Sequence, residues 1–525
     1  MSDRSEEMTV AQPREDSAKP WLLGAGLAVA VIALFKLAIH LYASRGYGFF
    51  VDELYYLDCA KHLDWGYVDQ PPLIAVVAWL VRHTLGDSLM AVRLPSVLCG
   101  TGEVLLAGLL ARELGGGRFA QGLAALCTLL APGILAMDHY LSMNSFEPLF
   151  WMGCAYLLLR MVHTGDTRLW IWFGVLGGIG LENKYSMGLF ACALLAGLLL
   201  TSQRRLMLSR WMWVGGAIAF AVFLPNVLWN VHYHFPFLEL QHNIKLSGRN
   251  VAMPPLKFFG EEFLDMLPLS LPIWLGGLWF FFFRAEGKPY RFLGWAWLIT
   301  AGTILYLSPR VYYLFPAFPL LFAGGGVLWE RLLVRRGFVW LKWSYGVAFV
   351  AMGAMAAPTA IPVLPPETFI RYMKATHMDP PRIETHKLGP LPQFFADEFG
   401  WPEMAETVAG VYNNLPPEVR AHTAIFGQNY GQAGAINLFG PRYGLPRAIS
   451  GHQSYFLWGP QGATGESMIV MADRQENLER VFTSVRKVAH LSHPYSMPYE
   501  QFDIFYCTGI KQPLAELWPK VKNWD

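Results

Sequence analysis

The chain is a succession of apolar runs of about 17 to 23 residues, separated by short polar breaks. A run of that length matches a hydrocarbon layer of roughly 30 Å. In lipid, every backbone N–H and C=O must be satisfied within the segment, so such runs dictate helices. Composition agrees, because only 15% of the 525 residues are charged, against about a quarter in soluble domains. The chain therefore reads as an α-helical polytopic membrane protein. About eleven spans are expected, at 21–43, 90–111, 119–137, 145–160, 168–182, 185–202, 211–229, 266–283, 292–308, 311–329 and 338–360.

Loop charge sets an expected orientation. Brief loops at 112–118, 160–168, 204–210, 284–291 and 331–336 each hold two or three Lys or Arg, which marks them as cytoplasmic. The N-terminus then lies inside, and the long loops 44–89 and 230–265 lie outside. An odd span count also puts everything beyond residue 360 outside. This is the pattern of a multi-pass membrane protein with its N-terminus inside and its C-terminal part outside. Residues 1–20 read as a polar cytoplasmic tail rather than a signal peptide. Residues 361–380 read as a proline-rich linker and 381–525 as a small α/β domain. In that domain helices are expected at 402–413, 430–439 and 477–489, and strands at 423–426, 468–472 and 502–507. The net charge of +2 is partitioned among loops and suggests no nucleic-acid partner. The six cysteines show no CxxC pairing, so neither a zinc site nor a disulfide framework is expected.

Within this apolar chain the outer loops carry the chemistry. Asp52 and Glu53 follow the first span, in GFFVDELYY. Adjacent residues on a helix diverge by about 100°, so the two acids have separate roles rather than forming a dyad. One serves as general base or cation ligand, and the other orients a neighbour or caps a helix. Acids complementing the dipole of a short amphipathic helix, with Tyr55 and Tyr56 in an interfacial aromatic belt, are the plainer account. In YVDQPPL, Pro71 and Pro72 hold Tyr67, Asp69 and Gln70 at a rigid corner. There Asp69 either caps the next helix or faces Asp52 across a cavity mouth.

The cations and remaining polar groups of the outer side suit an anionic lipid headgroup. Lys184, in ENKYSM, is either a phosphate ligand or a partner of Glu182, and Arg310 stands beside Tyr312 and Tyr313. Asp138, His139, Asn144, His232 and His242 complete the set. Lys36 and Glu103 lie within spans, where an ionisable group is a functional candidate, although Lys36 is near enough to an end to snorkel.

On these residues the chain resembles the GT-C class of glycosyltransferases. It is most similar to bacterial members related to protein O-mannosyltransferases and to the lipid A aminoarabinose transferase. The resemblance rests on the Asp52-Glu53 pair, YVDQPPLIAVVAWL (67–80), ENKYSMGLF (182–190), LPNVLWNVHYHFP (224–236) and RVYYLFPAFPLL (310–321), in the family's order. It implies inverting transfer of a sugar from a polyprenyl-phosphate carrier to a lipid, protein or glycan acceptor. It also implies Asp52 as catalytic base with Glu53 beside it, Asp69 as a further acid, and Lys184 as a ligand of the lipid phosphate. The chain departs from the aminoarabinose enzymes at Gln70, where they have lysine. Donor phosphate must then be met by Lys184 and Arg310 or by a divalent cation, and the sequence itself names no cofactor. A lipid or solute transporter is the reading from another class. It would place acids deep in the bilayer and show related halves.

Overall fold

The computed structural model describes residues 25–248, 253–307, 310–378, 387–472 and 474–525. The predicted tail 1–20 lies outside them. Helices overlie each of the expected apolar segments: Ala25–Ala43, Leu89–Glu113, Arg118–Leu130 with Pro132–Met137, Met143–Thr164, Leu169–Asn183, Ser186–Leu199, Arg210–His232, Leu271–Phe283, Arg291–Leu307, Phe318–Arg335 and Val339–Ala360. Among the described residues, five helices are long and apolar enough to cross a membrane unaided, or seven with two sharply bent pairs counted as single spans. Helices thus overlie all eleven expected segments, while among the described residues five to seven have the length and hydropathy of a membrane crossing. The segment 119–137 is two helices because Pro132 starts a new one after the extended Ala131.

The helical part is packed inside and apolar outside. Its interior holds Trp151, Phe190, Phe281, Phe292 and Phe318. Large apolar side chains such as Leu34, Trp172, Trp213, Phe220, Trp279 and Trp343 stand exposed on its flank. That inversion is what a lipid solvent selects.

Both long loops are structured. The first carries the helices Val51–Cys59 and Leu73–Thr84, the second Pro236–Ser247 and Pro255–Asp265. Val51–Cys59 is not interfacial as anticipated: Tyr55 and Tyr56 are buried, packed with the C-terminal part. The expected linker folds as well. Helix Pro366–Thr376 buries Phe369 and Met373 against Tyr47 and Phe395.

The C-terminal part is α/β as expected. Its five strands are β1 (Thr423–Gly427), β2 (Ala448–Ser450), β3 (Ser467–Ala472), β4 (Phe482–His490) and β5 (Asp503–Ile510), in the order β2-β1-β3-β5-β4. β1 runs parallel to β2 and β3, while β5 is antiparallel to β3 and β4. Helices Trp401–Asn413 and Tyr430–Phe439 form where expected. The helix expected over 477–489 does not. Only Gln475–Glu479 is helical, and Phe482–His490 is an edge strand. Phe482, Thr483, Val485 and Val488 suit a pleated strand, and pairing with β5 overrides a weak helical pattern.

Candidate active site

The first long loop supplies an acidic half. Helix Val51–Cys59 begins after the extended Phe50 and places Asp52 and Glu53 in its first turn, beside the positive end of its dipole. The two carboxylates part company at once. Glu53 is fully buried. Its Oε1 accepts from Arg93 Nε at 3.0 Å and Leu141 N–H at 2.8 Å. Its Oε2 accepts from Arg93 Nη2 at 3.0 Å and Phe50 N–H at 2.8 Å. Four donors fill the acceptor capacity of a carboxylate, so Glu53 fastens the helix start and matches the orienting role rather than the base.

Arg93 extends this cluster. It also donates to Gly48 O at 2.7 Å and to Glu398 Oε2 of the tail at 3.0 Å, and its Nη1 meets His139 Nε2 at 2.9 Å. Burial pushes the Glu398 carboxyl up to about 7, against the pull of Arg93.

Asp52 is only partly buried, and its Oδ1 accepts the Tyr430 O–H from the tail at 2.7 Å. Asp69 sits at the corner before Pro71. The helix beyond starts at Leu73 without a side-chain cap, so Asp69 has no capping role. Instead its Oδ1 accepts the Tyr55 O–H at 2.9 Å. The rings of Tyr55 and Tyr430 lie 5.1 Å apart, so the phenols that hold the two acids touch. Burial pushes the Asp69 carboxyl up to about 7; the Tyr55 hydrogen bond opposes this and Asp52 adds to it. An acid poised near neutrality beside a second carboxylate is an arrangement for proton exchange.

A cationic half gathers around Lys184. Lys184 follows helix Leu169–Asn183, and its Nζ reaches Glu147 Oε2 at 2.7 Å and Asn144 Oδ1 at 2.8 Å. It does not pair with Glu182. The ammonium also stands 4.4 Å from the Tyr313 ring centre and 5.3 Å from that of Tyr312. Arg310 immediately precedes the turn Val311–Ala317 that carries both tyrosines. Tyr140 lies near both. Burial raises its phenol, and Asp52 and Tyr312 both contribute.

A cavity lined by Glu103, Asp138, Asn144, Glu147 and Tyr312 adjoins the cationic half. Lys36 does not snorkel: it is fully buried, 2.6 Å from Asp138.

Other predicted cavity residues take quieter positions. Tyr67 donates to Cys59 O and His62 O, which ties the loop together. Gln70 is buried, with Nε2 4.0 Å from Cys59 Sγ. His232 and His242 are exposed on the second long loop and, among the described residues, hydrogen-bond to neither half. No group of three or more His, Cys, Asp and Glu disposed to hold a metal occurs among the described residues.

Four participants escaped the sequence reading: Arg93, Glu147, Glu398 and Tyr430. Arg93 and Glu147 lie within predicted spans, where a charge is itself a signal. Glu398 and Tyr430 arrive from the tail, and nothing local marks them.

Comparison with solved structures places this architecture. ArnT from Cupriavidus metallidurans in the apo state aligns over 91% of this chain and 97% of its own, with a TM-score of 0.56 and 15% identity. The same protein bound to undecaprenyl phosphate aligns over 93% and 98%, with a TM-score of 0.55 and 15% identity. The fold is that of the GT-C membrane glycosyltransferases. Residues 69–229 match the family described as dolichyl-phosphate-mannose-protein mannosyltransferase. That segment carries Asp69, Lys184 and Glu147, three residues of the site. No curated protein sequence matches the chain.

Proposed function

We propose that the protein is an inverting glycosyltransferase that moves a sugar from a polyprenyl-phosphate donor to a lipid, protein or glycan acceptor at the outer face of the inner membrane. The observation that carries this reading is the pairing of two groups, the phenol-held carboxylates Asp52 and Asp69 and the ammonium of Lys184 among tyrosines, with Tyr140 near both Asp52 and Tyr312. The undecaprenyl phosphate bound by the similarly folded ArnT supports the donor class.

Each half has one task. An acceptor hydroxyl oxygen attacks the anomeric carbon while its proton passes to Asp52, which acts as general base. The bond from the anomeric carbon to the phosphate oxygen breaks, and polyprenyl phosphate leaves with the electron pair. Lys184 and Arg310 stabilise the charge that develops there. A single in-line displacement needs no nucleophilic side chain. Asp69, with its carboxyl near 7, is placed to pass the proton onward.

The test incubates purified protein with radiolabelled polyprenyl-phosphate sugars and with membrane or glycan extracts as acceptors. Label moving into an acceptor fraction is the expected result. Label that stays on the lipid with every donor, in the presence of folded protein that binds undecaprenyl phosphate, contradicts transfer. Movement of donor lipid across a proteoliposome membrane under the same conditions would favour the transporter reading, which the buried Lys36–Asp138 pair and Glu103 support.

A further inference from the structure

The geometry points to the C-terminal tail as part of the catalytic centre, with Tyr430 as the positioning residue that holds Asp52. This rests on Asp52 being the base.

The tail helix Tyr430–Phe439 lies directly on Val51–Cys59, the helix that carries Asp52. The approach is close enough to require glycine. A Cβ on Gly434 would stand 2.9 Å from the backbone of Leu54, and one on Gly431 would collide with the Val51 side chain. The sequence NYGQAGAINLFG is thus explained as a docking face.

Tyr430 is then fixed on every side. Asn429 Oδ1 accepts the Gln432 N–H at 2.9 Å and starts the helix, while Asn429 and Gln432 both donate to Glu500. The Tyr430 N–H meets His452 Nδ1 at 3.2 Å. Its ring stacks on His452 with 4.9 Å between centres and lies tilted 5.1 Å from that of Tyr55. Only then does the phenol reach Asp52, at 2.7 Å. The far end of the acid-bearing helix is gripped the same way. Asp58 Oδ2 accepts from Asn437 Nδ2 at 2.5 Å and from the Tyr455 O–H. The tail therefore sets both the position of the helix and the rotamer of its acid. A hydroxyl donating to an ionised carboxylate favours the charged form, the form a general base requires. Ionisable groups that feel Asp52 include Asp69 on its loop, Tyr56 on its own helix and Tyr140.

The test reads Asp52 directly, without a known substrate. The full chain in detergent is labelled with a water-soluble carbodiimide and glycine ethyl ester across a pH series, and Asp52 is followed by peptide mass spectrometry. Carbodiimide takes the protonated acid, so the labelling midpoint reports the carboxyl. Tyr430→Phe keeps both ring contacts and removes only the hydroxyl. A hydrogen bond to a charged group is strong enough that the midpoint should move up by about one pH unit or more. Gly434→Leu, which forces the helices apart, should move it in the same direction. The exposed Glu466 and Glu476 serve as unmoved controls.

An unchanged Asp52 midpoint in Tyr430→Phe overturns the proposal. Transfer from the polyprenyl-phosphate donor is then compared at matched undecaprenyl phosphate binding. The acid limb of the turnover–pH profile should move up in Tyr430→Phe by as much as the labelling midpoint does. A moved midpoint with an acid limb that stays where wild type has it upholds the contact and removes Asp52 as the base, so the two readings fail separately.

Discussion

Asp52 and Glu53 are neighbours in the chain and opposites in environment. Glu53 is sealed in a cluster with Arg93 and Glu398, both its oxygens filled by four donors. Asp52 is half-buried, held by a phenol and close to a second acid whose carboxyl is raised to about 7. A saturated, dry carboxylate fixes geometry and has nothing left to exchange. A partly exposed carboxylate can take a proton. In the proposed reaction the pair separates holding from chemistry over one residue, and each variant that follows acts on one side of that division.

The largest expected effect falls on the holding side. Arg93→Ala leaves Glu53 and Glu398 buried without their cation, which costs about 3 to 5 kcal/mol. Denaturant unfolding in detergent should show that loss, and limited proteolysis should show the tail released. A stability equal to wild type would mean that the cluster is not what joins tail and helices.

On the chemical side, Lys184→Ala should raise the apparent donor KM about tenfold, which corresponds to about 1.4 kcal/mol. Part of any stability change would come from Glu147, left buried beside the missing cation. Titration with undecaprenyl phosphate separates the two, because only weakened binding reports on the phosphate.

The smallest effect is a slope. The Asp69 carboxyl is raised from 3.8 to about 7 on folding. Its folded form therefore holds the proton more tightly than the unfolded one, and its contribution to stability is lost as pH rises through that window. Asp69→Asn should flatten the fall in melting temperature between about pH 4 and 7. An unaltered slope would place the raised carboxyl elsewhere.

How much of this was legible in the sequence follows from the same division. Apolar length reported the helices, because lipid leaves the backbone no alternative. Asp52, Asp69 and Lys184 were visible because charge is rare in such a chain and each sits beside an apolar segment. The partners were not. Glu147 rather than Glu182 meets Lys184, since that choice depends on how two helices face each other. Tyr430 reaches Asp52 across 378 positions, a distance over which a single sequence carries no pairing signal. The histidines His232 and His242 looked like site residues by composition, and the structure leaves them exposed. The missed strand Phe482–His490 has the same origin, because its pairing with β5 is tertiary.

In the proposed reaction Asp52 takes the acceptor proton, and the decisive measurement is the turnover of Asp52→Asn. The substitution is nearly isosteric and keeps a hydrogen-bond acceptor for Tyr430, so fold and undecaprenyl phosphate binding should be retained. General-base catalysis contributes about 10² to 10⁴ in rate. The account predicts sugar transfer slowed by at least about a hundredfold in protein that unfolds and binds like wild type. Transfer at the wild-type rate in that protein would contradict it.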